Sequence, residues 1–348
     1  MTGFVFPPLR PRIIRRHARI VATGSHLPPR VLSNAEIIAE RGLAVTDAVL
    51  RKTLGVDRRH VAGDGVTDSD ILAEAGRRCL QAAGVPVDEL AHILVTRFLG
   101  DHVLPMTASL VQRKLGATVA LHALDVEGGT NSFIHAVDLA TRYISTTGGP
   151  DHRILLCSGG IHALPVSKTD PRIAFLFGDG AAAVLLAPSD EPHFLACYTY
   201  ANHALFDAAR TRTLKLTPDL FDRLSKRGDV NPLYDLYEMG NWKETADFYV
   251  EAARVTAERL LAEAGLRRED IDLCLVTENN ARLREMTLAA LGFAVSQSRS
   301  LIAKTANTMT AMLPLLLDVT LPGLPRGTNI MLISHGEGAS GGGLIYQI

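Results

Sequence analysis

The chain has 348 residues, 47% of them hydrophobic and 21% charged, with a formal net charge of −1. That length and apolar content suit one large or two medium globular units with a sizeable core. The near-neutral balance gives no electrostatic reason to expect a nucleic-acid partner, and no apolar stretch reaches the roughly 20 residues that a membrane-spanning helix needs.

The chain opens on Arg10, Arg12, Arg15, Arg16 and Arg19, with no acid before Glu36. This stretch lacks the apolar core of a secretory signal. It reads as a solvated basic arm, or as a dock for an acidic partner, ahead of a first strand at 19–24. Residues 71–96 then read as a helix closed by Gly84, an acidic turn and an apolar strand. They align without gaps with residues 252–277, an offset of 181 (252 minus 71), and Ala83-Gly84 falls on Ala264-Gly265 and Leu94-Val95-Thr96 on Leu275-Val276-Thr277. The run 154–160 pairs in the same way with 330–336, and each is followed by a glycine-rich turn and another apolar run. The chain is therefore a duplication of two strand–helix halves, with an α/β core and a site expected where the halves meet.

Between the repeats, the run from Leu121 to Thr130 reads as a strand leading through the Gly128-Gly129 turn into an amphipathic helix with Phe133, Val137, Ala140 and Ile144 on one face. A side chain at that junction faces the positive end of a helix dipole, a place that favours a thiolate. Thr130 holds it instead, and a hydroxyl stays un-ionised there without a base, or simply caps the helix. The four cysteines are scattered with no paired spacing, which suits small buried hydrophobes in a reducing, cytoplasmic compartment.

Two glycine clusters, 177–181 and 335–343, run into strands rather than helices and lack the Lys-Ser/Thr of a phosphate loop. Asp179 in the first is expected to hydrogen-bond its turn rather than act in chemistry. Residues 199–243 have no counterpart in the first half and read as an inserted loop or lid, a surface elaboration, or part of a subunit contact. The histidines are dispersed, with no HxxxH or HExxH pair, so no metal is expected.

Phe177-Gly178-Asp179-Gly180-Ala181, Gly24-Ser25-His26-Leu27-Pro28-Pro29 with Asn34, Leu104-Pro105, the run from Val111 to Gly116, Met239-Gly240 and Asn307-Thr308 with Pro314 together resemble the thiolase-like superfamily. Within it they resemble the type III ketosynthases, the 3-oxoacyl-carrier-protein synthases III. The resemblance spans nearly the whole chain. It implies a five-layered αβαβα fold of two pseudo-symmetric halves, 1–190 and 191–348, in a homodimer or paired with another ketosynthase.

In that family a cysteine takes an acyl group from a thioester, and a histidine and an asparagine hold the second thioester during decarboxylative condensation. The matching positions here are Thr130, Thr277 and Asn307, so the thiol and the imidazole are both hydroxyls. His335 is the expected replacement base, while Glu278 is expected to point away. The tryptophan and arginine that hold coenzyme A in the family fall on Val49 and Thr53. Arg51, Arg172, Asn280 and Gly338 are the residues expected at the donor, either coenzyme A or the phosphopantetheine of an acyl carrier protein, with no tightly bound cofactor; the Gly338 N–H is expected to complete an oxyanion site. The resemblance thus implies an atypical acyltransferase acting on acyl thioesters in fatty-acid-type or polyketide metabolism. The alternative is a non-catalytic subunit that pairs with an active ketosynthase.

Overall fold

The structure is a computed structural model that describes residues 4–10, 16–147, 149–163, 173–211, 237–239 and 242–348. Thirteen strands are described: β1 (Ala18–His26), β2 (Arg30–Ser33), β3 (Arg58–Val61), β4 (Leu90–Thr96), β5 (His122–Asp125), β6 (Arg153–Gly160), β7 (Gly180–Pro188), β8 (Phe194–Tyr200), β9 (Ala209–Thr211), β10 (Tyr237–Met239), β11 (Leu273–Val276), β12 (Asn329–Gly336) and β13 (Ser340–Gln347). The helices are α1 (Asn34–Arg41), α2 (Asp47–Thr53), α3 (Asp68–Ala83), α4 (Thr107–Leu115), α5 (Ser132–Thr147), α6 (Trp242–Ala264), α7 (Ala281–Ala290), α8 (Ile302–Thr305) and α9 (Met312–Thr320).

Two main sheets carry the duplication. The first has the order β1-β7-β6-β4-β5 and the second β8-β13-β12-β11. The aligned strands β4 and β11 each run parallel to a neighbour in their sheet, β6 and β12, which in turn pairs antiparallel with β7 and β13. The helices before β4 and β11 both end on a left-handed glycine, Gly84 at φ 65° and Gly265 at φ 68°. Only glycine takes that conformation without a steric cost, so the shared Ala-Gly marks the same helix stop in both halves.

Three apolar clusters set the layers. Phe133, Val137 and Ala140 of α5 and Leu313, Leu316 and Leu317 of α9 lie between the sheets, against Leu156 and Val184 on one side and Leu275 and Leu332 on the other. Helices α3 and α4 cover the outer face of the first sheet, and α6 and α7 that of the second. The result is αβαβα, with one half's helix and the other half's helix sharing the middle layer. Because both faces of these sheets are covered, their inner strands read as continuous apolar runs rather than as an alternation.

The basic arm fits the solvated reading only in part: Arg10 and Arg19 are exposed, but other residues of the arm pack against the core. Phe4 and Phe6 lay their rings against Phe248 and Tyr200 at centroid distances of 4.8 and 5.2 Å. Arg16 is buried, ion-paired with Asp138 and hydrogen-bonded to the Thr141 hydroxyl at 3.0 Å. A buried charge requires such a partner, and this one lies too far along the chain for local sequence to show it. Arg12 and Arg15 lie outside the described residues, as do 212–236 and 240–241 of the expected insertion. Its described part is a turn at His203–Ala208 and the antiparallel β9–β10 pair. No helix among the described residues is long and apolar enough to cross a membrane.

Candidate active site

The Phe177-Gly178-Asp179-Gly180 turn is the knot that fastens the site's frame. Asp179 is buried, and its carboxylate accepts the backbone N–H groups of Ala62 (2.7 Å), His162 (2.7 Å) and Ala163 (2.8 Å), three donors from two other loops. Burial pushes its carboxyl up, and the three N–H groups oppose that. Its partners lie on other loops rather than in its own turn, where the sequence placed them. Gly178 donates its N–H to the Asn307 carbonyl at 3.0 Å, and Asn307 donates to the Leu176 carbonyl at 2.9 Å. A Cβ at 178 would fall 2.1 Å from the Thr305 carbonyl oxygen, so the two backbones meet here only because residue 178 is glycine.

That contact fixes the loop carrying Asn307. The loop holds strain: Ala306 and Met309 sit at φ 54° and 48°, a region that non-glycine residues rarely enter. The Asn307 side-chain oxygen accepts the Met309 N–H at 2.7 Å, and its Nδ2 donates to no described residue. Thr277 follows directly on β11. Its hydroxyl oxygen accepts the His335 N–H at 3.0 Å, and its own hydrogen has no acceptor among the described residues. Asn307 and Thr277 are thus two buried, neutral groups, each with a donor left over.

Thr130 lies in the Gly129–Asn131 turn that opens α5, at the helix N-terminus as its sequence context requires. The turn packs against β12 and against the Met309–Ala311 turn. A chain of buried hydroxyls ties it down, from Thr96 to Thr310 (2.8 Å), Thr310 to Ser132 (3.0 Å) and Ser132 to the Gly129 carbonyl (2.6 Å). The Thr130 hydroxyl does not cap the helix. It donates to one Glu337 oxygen at 2.9 Å, while the Thr130 N–H donates to the other at 2.8 Å.

Glu337 sits in the turn between β12 and β13, with Gly338 and Ala339 at φ 63° and 50°. It lies two residues after His335, whose N–H holds Thr277. Hydrogen-bonded links thus run from Thr130 through Glu337 to the end of β12 that holds Thr277, and from Ser132 through Thr310 to the turn that follows Asn307.

His335 does not meet Thr130 by hydrogen bond. On β12 it shares a face with Met331 and Ile333, toward the outer helices. Its ring stacks on Tyr249 at 4.9 Å, and burial lowers its pKa to about 3, so it is neutral near pH 7. This corrects the expected base: the group on the Thr130 hydroxyl is Glu337. Glu278 does turn away. It accepts from the N–H groups of Leu301 and Ile302 at 2.8 and 3.1 Å and lies 3.4 Å from Arg284, with its pKa raised by burial.

Two of the expected donor-side residues, Arg51 and Asn280, lie on an edge away from the Thr130 turn. Arg51 is exposed and paired with both Asp47 and Asp57, so its charge is already balanced. Asn280 caps α7, its oxygen accepting the Leu283 N–H at 2.8 Å. The next residue, Ala281, donates to the Leu54 carbonyl just after α2, which brings these two positions onto one edge. Gly338 is in the Glu337 turn, and Arg172 lies outside the described residues. The cysteines supply no thiolate here: burial pushes the Cys79, Cys197 and Cys274 thiols up to about 12 and that of Cys157 higher still.

Comparison with known proteins agrees with this architecture. Residues 124–202 match the family model for 3-oxoacyl-[acyl-carrier-protein] synthase III, and residues 261–348 match the model for its C-terminal part. The β-ketoacyl-[acyl-carrier-protein] synthase III of Thiobacillus denitrificans is 29% identical over 333 residues, covering 95% of this chain and 99% of that protein. The 3-oxoacyl-(acyl carrier protein) synthase III of Pseudomonas aeruginosa superposes with a TM-score of 0.83 at 26% identity, over 95% of this chain and 98% of that one. The priming β-ketosynthase of a polyketide biosynthetic pathway shares the fold, with a TM-score of 0.84 at 23% identity over 98% of this chain and 99% of that one. The chain is a type III ketosynthase-like protein of the thiolase-like superfamily.

Proposed function

We propose that this protein is an acyltransferase that takes an acyl group from a thioester and passes it to an oxygen or nitrogen acceptor, without forming a carbon–carbon bond. The observation that carries the reading is the Thr130 hydroxyl, held on the Glu337 carboxylate at the start of α5. Decarboxylative condensation in the resembled family uses a thiol to hold the acyl group and an imidazole beside the asparagine to hold the second thioester. Positions 130 and 277 carry hydroxyls instead, and the His335 imidazole turns toward Tyr249. A hydroxyl beside a carboxylate suits acyl transfer better, where the nucleophile needs a base and the carbonyl needs donors. Asn307 Nδ2 and the Thr277 hydroxyl are the donors assigned to the thioester carbonyl.

The donor thioester is proposed to be a phosphopantetheine on an acyl carrier protein or coenzyme A, entering past the α2–α7 edge, where Lys52 and Arg58 are exposed. Pairing with a second ketosynthase-like chain fits the outer edge of β5, which pairs with no other described strand, and the exposed Val103 and Leu104, 90% and 83% accessible.

A second reading, a non-catalytic partner subunit, is favoured by one observation: Glu337 already occupies the Thr130 N–H, a donor that would otherwise be available to an oxyanion. One assay separates the two. Purified protein is given acyl thioesters with alcohol and amine acceptors, and thiol release and product mass are followed. Acyl transfer is expected, with Asn307→Ala slowing it by about 10²-fold through loss of one carbonyl donor. Absence of thiol release from every thioester tried would leave only the subunit reading.

A further inference from the structure

We infer that Glu337 is the catalytic base of a Thr130–Glu337 pair and that the acyl group is carried as a threonyl ester. This deepens the acyl-transfer reading and rests on it.

The geometry points the carboxylate at the Thr130 hydroxyl. One oxygen is anchored by the Thr130 N–H, which leaves the second fixed on the Thr130 hydroxyl. Room for it exists only because residue 129 is glycine: a Cβ there would lie 2.2 Å from the Glu337 oxygen, and the backbone at 129 is left-handed at φ 59°. The turn behind it is braced by the Asn131 amide on the Ser340 hydroxyl (2.7 Å), by that hydroxyl on the Glu337 carbonyl (2.8 Å) and by the Tyr249 hydroxyl on the Gly336 carbonyl (2.6 Å). Among the described residues no arginine, lysine or histidine forms an ion pair with Glu337. Its negative charge is met by the N-terminal end of the 16-residue helix α5.

Other candidate bases fall away on position. His335 faces Tyr249, Glu278 is spent on Leu301 and Ile302, and His135 lies beside Gly128 with no hydrogen bond to Thr130.

The step balances within the pair. As the Thr130 oxygen attacks the thioester carbonyl, its proton passes to Glu337. The carbon–oxygen bond forms and the carbon–sulfur bond breaks, and the departing sulfur takes the proton from Glu337 and leaves as a thiol. In the second half an acceptor hydroxyl or amine gives its proton to Glu337 and attacks the threonyl ester. The acyl group moves to the acceptor, and Thr130 recovers the proton.

A substrate-independent probe tests the pair. A hydroxyl-reactive β-lactone should acylate wild-type protein at Thr130, located by peptide mass spectrometry. Glu337→Gln keeps the shape and an oxygen for the Thr130 N–H, and should label at least about 10²-fold more slowly. Because an altered turn could also slow labelling, Glu337→Ala is assayed with and without added formate; recovery of at least about tenfold on adding this small carboxylate is expected of a base and not of a brace. Labelling of Glu337→Gln at the wild-type rate, absence of rescue, or no label at Thr130 in the wild type overturns the inference. Labelling without any thioester turnover would sink the acyl-transfer reading and keep the pair; turnover indifferent to Glu337 would do the reverse.

Discussion

Thr130→Val is expected to lower acyl transfer from thioesters at least about 10³-fold while leaving the fold intact. Valine matches threonine in shape, so the buried site beside α5 stays filled. The Thr130 N–H still holds one Glu337 oxygen, so the turn keeps its anchor. Only the hydroxyl is gone, and with it the atom that the carboxylate addresses. Removing the nucleophile from a cooperating set forfeits nearly everything the set achieves, since its members do not act independently. Thr130→Ser, which retains the hydroxyl, should stay within about tenfold of wild type. Initial rates of thiol release, checked by product mass, measure both, and a Thr130→Val rate within tenfold of wild type would remove Thr130 from the chemistry.

Asp179→Ala is expected to cost stability directly, by at least about 3 kcal/mol, and activity only through the loop it anchors. The carboxylate answers three buried N–H groups on Ala62, His162 and Ala163, and each donor stranded without a partner costs about 1–3 kcal/mol. Asp179→Asn should recover little, because its amide NH2 would face donors on one side of the knot. Since Gly178 next door holds the Asn307 loop, activity should fall as well, through displacement of that loop. Denaturant unfolding of the variants gives the energy, and a loss below about 1 kcal/mol would mean that the turn is satisfied some other way.

Much of this architecture was readable beforehand, for reasons specific to particular residues. The two Ala-Gly helix stops at 84 and 265 lie 181 positions apart and expose the duplication. The strand, glycine turn and apolar stripe around Thr130 leave one place for its side chain, the mouth of α5. The role of Asp179 was legible in kind but not in extent, because its donors come from residues near 62 and 162.

The base was not legible. Strand β12 is buried on both faces, so its apolar run carries no alternation, and nothing local tells which way His335 points. Glu337, an acid alone in a glycine-rich turn, was the available signal. Its meaning depends on the bare Gly129 backbone opposite, 208 positions earlier (337 minus 129). Arg16 escaped in the same way, since its partner Asp138 lies on a helix that packs beneath it only in the folded chain.

The most direct test of the account sets the two chemistries against each other. The protein is supplied with an acyl thioester, a 2-carboxyacyl thioester such as a malonyl thioester, and an alcohol or amine acceptor, and carbon dioxide release is measured beside formation of the ester or amide. The hydroxyl–carboxylate site predicts ester or amide formation with no carbon dioxide above background. Carbon dioxide released in step with a 3-oxoacyl product would contradict it, and would mean that the site condenses acyl chains without a thiol or an imidazole at positions 130 and 277.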